Sequence, residues 1–394
     1  MAGALDGVMV LEVADYITGP YAGQFLADMG AEVVKIEKRP NGDPFRGFGR
    51  DTSNVGYDTT FVALNRNKKS LTLNLAAPEG QEIFLKLARE ATVIIENHRP
   101  GQMKRWGLDY ETIQSMNPGI VYCSISGFGQ DGPYRDLPGY DTLGVAMGGL
   151  LSFLTDMEDP VPSRFTFADP LTGVYAAYGI LGALYARATT GRGQRVETSL
   201  LQTIACFVGI PATRYLMTGQ LPPREAERPN LASAFVAGDG KPLVFHLSSP
   251  PKFWEGLTDA IGRPELKEDP RFARRVDRIK NYDALHQICQ DVFATAPRQH
   301  WIDELRRHDV PAGPLYDMAE VFADPQIQHH GTAVEMDHPQ MGRVRVSANA
   351  VNLRGTPIRY ESAPPVLGEH TEEILARYGY DAPRIKELAE AGIV

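Results

Sequence analysis

Short apolar runs alternate with amphipathic stretches through the first half of the chain. Residues 8–13 are an apolar run of strand length. Residues 21–29 show helical spacing, opened by Gly19-Pro20 and closed by Gly30, and residues 31–37 are a second apolar run. Such a sequence predicts a β-loop-α-β unit, the start of a parallel, doubly wound sheet. The pattern repeats, with strands predicted over 69–75, 92–96, 120–126 and 194–198. Helices are predicted over 78–90, 110–117 and 170–188, and another begins at Ser199. The fold class is therefore α/β, with a doubly wound, Rossmann-like large domain over about residues 1–215.

The pattern breaks over 216–230, where Gly219, Pro222, Pro223 and Pro229 lie among charges, and a linker is expected there. A smaller α/β domain is expected over 231–333. It opens with a hairpin-like stretch, 235–245, carrying Asp239-Gly240 at its turn. Helices follow around Phe253, Tyr282 and Trp301. A second stretch with Pro339 and Gly342, residues 334–342, reads as another linker. Residues 340–394, with a helix over 371–378, are expected to return to the large domain.

Composition narrows the class. The chain has 394 residues and 43% hydrophobic content, enough for a sizeable core, and its length suggests two or three domains. Its net charge of -9 argues against general nucleic-acid binding, which needs a basic face. No apolar run reaches the ~18 residues that cross a bilayer, and the first residues lack a signal-type pattern. Cys123, Cys206 and Cys289 are too scattered for a disulfide framework or a metal site. A cytoplasmic protein with neither metal nor membrane attachment is expected.

Candidate chemistry gathers at the ends of the predicted strands. Asp169-Pro170 heads the apolar helix over 170–188. Taken alone, Asp169 reads as an N-cap with Pro170 at the first helical position. The same position, held ionised by the helix dipole, also suits a carboxylate nucleophile. The first β-loop-α unit lacks a dinucleotide cradle: between Ala14 and Pro20 only Gly19 is a glycine, and Pro20 removes an N–H. Lys38, Arg39, Arg46, Arg66, Lys68 and Lys69 fall on successive loops. They read either as solvated surface or as an anion pocket. Asn97-His98-Arg99-Pro100-Gly101, with Lys104 and Arg105 beyond, follows another strand, where open α/β sheets bind ligands. Ser126-Gly127-Phe128-Gly129-Gln130-Asp131-Gly132-Pro133 is too irregular for a phosphate loop. It reads as a turn, or as a close backbone approach to a ligand.

Taken together, these segments resemble the class III CoA-transferases, a formyl-CoA-transferase-like family. The resemblance runs along nearly the whole chain. It rests on Leu5-Asp6-Gly7, Gly30 to Glu37, Asn65-Arg66-Asn67-Lys68-Lys69-Ser70, Glu96-Asn97 with Pro100-Gly101, and Gly127 to Pro133. Further on it includes Thr190-Gly191-Arg192-Gly193-Gln194, Val310 to Pro314 and Gly368-Glu369-His370-Thr371.

The resemblance implies that Asp169 is a nucleophile. It passes through an aspartyl anhydride and an aspartyl-CoA thioester while CoA moves from an acyl donor to a carboxylic acid. It places Ile17 and Thr18 beside the thioester, and Lys38 near the phosphates. It sets Leu73 and Asn74 on the adenine side, and Asn97, His98 and Arg105 along the pantetheine and phosphates. Tyr140 and Asp141 stand next to the nucleophile. It also implies an interlocked homodimer.

The chain departs from formyl-CoA transferases at their mobile glycine loop, aligned with Pro229-Asn230-Leu231-Ala232-Ser233, and at Pro138, where those enzymes carry a base. A dicarboxylic substrate is expected, its second carboxylate paired by Arg46, Arg50 or Arg164. Two alternatives stand beside this reading. One is a 2-methylacyl-CoA racemase, which would want a histidine where Tyr140 stands. The other is a non-catalytic CoA-ester-binding protein.

Overall fold

The computed structural model describes residues 2–47, 59–221, 231–247 and 250–394. The chain divides into two compact units, Met1–Gly209 with Gly331–Val394, and Ile210–His330.

The first unit is built on six parallel strands: β1 (Met9–Val13), β2 (Glu32–Glu37), β3 (Lys68–Thr72), β4 (Val93–Glu96), β5 (Val121–Ser126) and β6 (Arg195–Ser199). Their order across the sheet is β3-β2-β1-β4-β5-β6. Strands β1, β2, β4 and β5 are buried on both faces, which is why they read as largely apolar runs, whereas the edge strand β6 is partly exposed. Among the described residues, seven α-helices lie between β1 and β6: α1 (Thr18–Asp28), α2 (Thr59–Leu64), α3 (Pro78–Ala88), α4 (Gln102–Arg105), α5 (Tyr110–Met116), α6 (Asp141–Met147) and α7 (Ala168–Thr190). An eighth, α8 (Leu200–Phe207), leaves β6.

On one face, Leu11, Val34, Leu71 and Ile94 pack against α3 and against Ile374, Leu375 and Leu388 of the C-terminal helices. On the other, Val10, Val33 and Val93 pack against Leu26 of α1 and Ala176, Ala177 and Ile180 of α7. The small side chains on α7 let it lie close to α1. A Cβ on Gly173 would meet the Thr18 carbonyl at 2.9 Å.

In the second unit, β7 (Ala232–Val236), β8 (Pro242–His246) and β9 (Ala312–Pro314) form an antiparallel sheet. Helices Pro251–Ala260, Tyr282–Phe293 and Arg298–Arg307 cover a core of Phe235, Phe245, Trp254, Phe272 and Phe293. Residues 334–342, expected as a linker, instead belong to a hairpin in the first unit. Strand β10 (Ala333–His338) pairs antiparallel with β11 (Gly342–Ser347). Pro339 and Gly342 mark its turn, and the alternating Met336, Val344 and Val346 bury against Val62. Of the expected linker 216–230, residues to Thr218 finish helix Gly209–Thr218, and 222–230 lie outside the described residues.

The chain reverses direction across the sheet between β1 and β4, so the loops after these two strands diverge and leave a crevice. Beneath it lies a buried ionic network. The Glu12 carboxylate on β1 meets Lys35 of β2 at 3.2 Å and Lys68 of β3 at 2.8 Å, and Lys35 also meets Asp43 at 2.9 Å. Lys68 donates further to the Pro20 carbonyl and to Asn65. Burial pushes the Lys68 ammonium down to about 8 against the pull of Glu12. For Lys35 the Asp43 and Glu12 carboxylates outweigh burial and hold it protonated. The network ties three strands to the loop that opens α1.

Candidate active site

A cavity of about 520 Å³ opens at the carboxyl ends of β1, β4 and β5. Ile17, Thr18, Asn97, His98, Tyr140, Asp141 and Asp169 all line it. The loop after β1 is held across the crevice by Asn97. Its amide oxygen accepts from the Asp15 N–H at 3.0 Å, and its nitrogen donates to the Asp15 carbonyl at 2.7 Å and to Thr18 at 3.1 Å. Asn97 thus positions the loop. Tyr16 adopts φ 65°, a costly conformation for a tyrosine, fixed by its N–H donating to Asp43 and its ring meeting Phe45 edge-on at 5.4 Å.

Asp169 is not the helix cap. Helix α7 begins one residue earlier, and the Asp141 carboxylate, arriving at the start of α6, accepts from the Asp169 N–H at 3.0 Å. It also takes backbone N–H groups of Ala168 and Phe167. The orphan donors of α7 are thereby satisfied from another helix, and the Asp169 side chain is left free to face the cavity. Burial, and then the Asp141 charge, raise the Asp169 carboxyl to about 7. The expectation that the helix dipole holds Asp169 ionised is overturned: the dipole's N–H groups are spent on Asp141, and burial dominates.

Gly127 and Gly139 explain how Tyr140-Asp141 is aimed. They touch backbone to backbone, so that a Cβ on Gly127 would lie 2.6 Å from the Gly139 Cα. Gly127→Ala is expected to lower transfer at least about tenfold and to cost ~1–3 kcal/mol of stability, because the clash displaces Tyr140 and Asp141. Steady-state rates and a urea melt check this, and an unchanged KM and kcat would contradict it.

A second, smaller cavity of about 180 Å³ adjoins the first and shares Asp15 and His98 with it. Lys38, Leu73 and Asn74 line it, together with Trp106. Burial drives the His98 imidazole down to about 4. It is therefore a neutral wall, edge-on to Trp106 at 5.2 Å, and supplies no charge for a phosphate. Arg105 lines neither cavity. It is exposed and bonds to Gln102 within its own helix.

The anion pocket imagined from the basic loop residues does not form, because most of those cations meet carboxylates. Arg66 forks onto buried Asp28, Lys68 meets Glu12, and Lys69 meets Glu32 and Glu373. Arg46 forks onto Glu37 and lies over Phe61. Arg46 is thus spent as a partner for a second substrate carboxylate. Arg164 is exposed and absent from the cavity lining, and Arg50 lies outside the described residues.

The cavity instead contains Arg99 and Arg135, and among the described residues neither has an ion-pair partner. Asp15, Tyr16 and Arg135 were missed as site residues. Asp15 and Tyr16 had a signal, since they end the first strand of a doubly wound sheet. Burial raises the Asp15 carboxyl to about 6, with Lys35 opposing.

Comparison with known proteins fits this geometry. The profile of CoA-transferase family III matches residues 5–371. The chain belongs to CoA-transferase family III. It is 35% identical to succinyl-CoA–D-citramalate CoA-transferase of Chloroflexus aurantiacus, over 94% of this chain and 92% of that one. It is also 35% identical to human succinyl-CoA:glutarate CoA-transferase, over 99% and 90%. Formyl-CoA:oxalate CoA-transferase of Streptomyces avermitilis is again 35% identical, over the full length of both. A crystal structure of a CAIB/BAIF family protein from Brucella suis matches with a TM-score of 0.85 at 33% identity, covering 96% of this chain and all of that one. As a family III CoA-transferase, the protein is an enzyme that uses CoA thioesters as substrates.

Proposed function

We propose that this CoA-transferase works through covalent catalysis by Asp169. The observation that carries the reading is a free carboxylate, raised toward neutrality, at the head of α7 in the 520 Å³ cavity of the crevice. Ionised Asp169 attacks the donor thioester carbon and the C–S bond breaks. A mixed anhydride and a CoA thiolate result. The thiolate attacks the aspartyl carbonyl, releasing the donor's carboxylate and leaving an aspartyl-CoA thioester. The acceptor carboxylate attacks that thioester, giving an anhydride again. The thiolate then attacks the acceptor's carbonyl, so the new acyl-CoA leaves and Asp169 is free. Splitting the transfer this way lets a weak nucleophile act in several smaller steps.

The CoA chain would run through the two adjoining cavities, Leu73 and Asn74 at one end and Asp169 at the other. A dicarboxylic acid is the favoured class of substrate. The relatives named above act on succinyl-CoA, glutarate or oxalate, and Arg99 and Arg135, without an ion-pair partner among the described residues, offer guanidinium groups suited to a second carboxylate. Incubation with succinyl-CoA and glutarate is expected to yield the glutaryl ester and free succinate. Hydrolysis of succinyl-CoA with no new ester would contradict transfer.

The raised carboxyl sets a pH dependence. Asp169 must be ionised to attack, so kcat/KM is expected to fall about tenfold per pH unit below ~7. Asp141→Asn removes the like charge and is expected to move this limb to lower pH. A limb that stays put in Asp141→Asn would contradict the assignment.

A homodimer is also proposed. Exposed apolar side chains on α7, including Tyr178 and Tyr185, and on helix Gly209–Thr218, including Ile210, Leu216 and Met217, support it. Sedimentation equilibrium is expected to give twice the chain mass, and a species of one chain mass would contradict it.

A further inference from the structure

A further polar cavity, of about 320 Å³, lies at the carboxyl end of β4 and alongside β5 and β6. Asp169, Asp141, Tyr140 and Thr18 take no part in it. It is built from two sequence features, the Arg99-Pro100-Gly101 loop with Lys104 and the glycine-rich loop with Gln130.

Of the acids around this cavity, Asp131 is exposed with no cation partner among the described residues, and the others are occupied. Asp109 caps α5 by accepting from the Thr112 N–H. Glu111 and Glu197 face Arg195, at 3.8 and 3.0 Å. Glu96 is nearly fully buried, accepts from the His98 N–H at 2.9 Å and is pushed by burial up to about 7.

The cations are not occupied in this way. Among the described residues, Arg99, Lys104 and Arg135 have no carboxylate partner. Arg135 extends over Gly101, where a Cβ would lie 3.4 Å from its guanidinium nitrogen. The Gln130 side-chain nitrogen is buried and has no acceptor. A buried N–H donor without an acceptor is costly, and a ligand oxygen would satisfy it.

We propose that this cavity is a second binding site, for a small doubly charged oxyanion held by Arg99, Lys104, Arg135 and the Gln130 amide. Dicarboxylates and inorganic phosphate share that chemistry: several acceptor oxygens pointing in different directions. The cavity's volume excludes neither. Arg99 and Arg135 line the catalytic cavity as well. An anion in the second site therefore draws them away from the substrate and raises KM for the acceptor acid. This consequence rests on the transfer reading, whereas binding does not.

Calorimetric titration of the full chain with succinate, and separately with inorganic phosphate, tests the site. Binding near ~1 mM is expected with at least one of them, and the one that binds identifies the source. Lys104→Glu and Gln130→Leu are each expected to weaken it about tenfold or more, the second without any change of charge. Both variants are expected to keep wild-type transfer rates in phosphate-free buffer with the acceptor acid well below ~1 mM. An isotherm whose stoichiometry and affinity are unchanged in both variants places the anion elsewhere and overturns the proposal. So does the lack of a binding isotherm with either anion.

Discussion

Asp169→Ala is expected to lower CoA transfer by at least ~10⁴-fold, the scale seen when a covalent nucleophile is removed. The fold should survive. The Asp169 N–H that bonds Asp141 is backbone and remains in the alanine variant. Stability should in fact rise, with a sign set by linkage. The Asp169 carboxyl stands near 7 in the fold against its usual 3.8. The folded state therefore holds the proton more tightly, and ionising the group costs stability. That cost is absent below about pH 4 and complete above about pH 7. The variant should be more stable than wild type by roughly 1–3 kcal/mol at pH 8, and equal to it near pH 4. A variant that loses activity and also melts earlier at pH 8 would point to a structural role for Asp169.

Glu12→Gln is expected to destabilise the protein by ~3–5 kcal/mol, the usual cost of leaving buried charges without their partner. Glu12 is fully buried between Lys35 and Lys68, so a neutral amide strands the Lys68 ammonium and leaves Lys35 with Asp43 alone. The loop from Ala14 to Thr18 should suffer too, because Lys35 bonds the Ala14 carbonyl and Lys68 the Pro20 carbonyl. A denaturant melt that shifts by under ~1 kcal/mol would show that the network carries little of the stability. Glu12→Leu, which fills the space but strands the same charges, should be no better.

The sheet was legible in the sequence because parallel strands buried on both faces leave continuous apolar runs, as at Val10-Leu11 and Ile94-Ile95. The hairpin of Ala333–Ser347 was not, because its turn residues, Pro339 and Gly342, are the same signals that mark a linker. Within the site, the residues around Asp169 follow from the family resemblance, and the structure lines them along one crevice. The cations misled. Whether Arg46, Arg66 or Lys69 is free depends on Glu37, Asp28 and Glu373, and the last is 304 positions from Lys69. Local sequence says nothing about such partners. The charge state of Asp169 failed for the same reason. Its governing neighbour, Asp141, is 28 positions away, and burial has no local signature. Arg135 lay in a loop whose glycines drew attention to the backbone, though its free guanidinium is what faces the cavity.

Covalent capture at Asp169 tests the central claim most directly. The wild-type enzyme would be mixed with succinyl-CoA, quenched, weighed intact and mapped by peptide mass, with and without hydroxylamine. A CoA-sized adduct is expected on the peptide containing Asp169, converted by hydroxylamine to a hydroxamate at that residue. Turnover of succinyl-CoA with no adduct or hydroxamate at Asp169 would contradict the account.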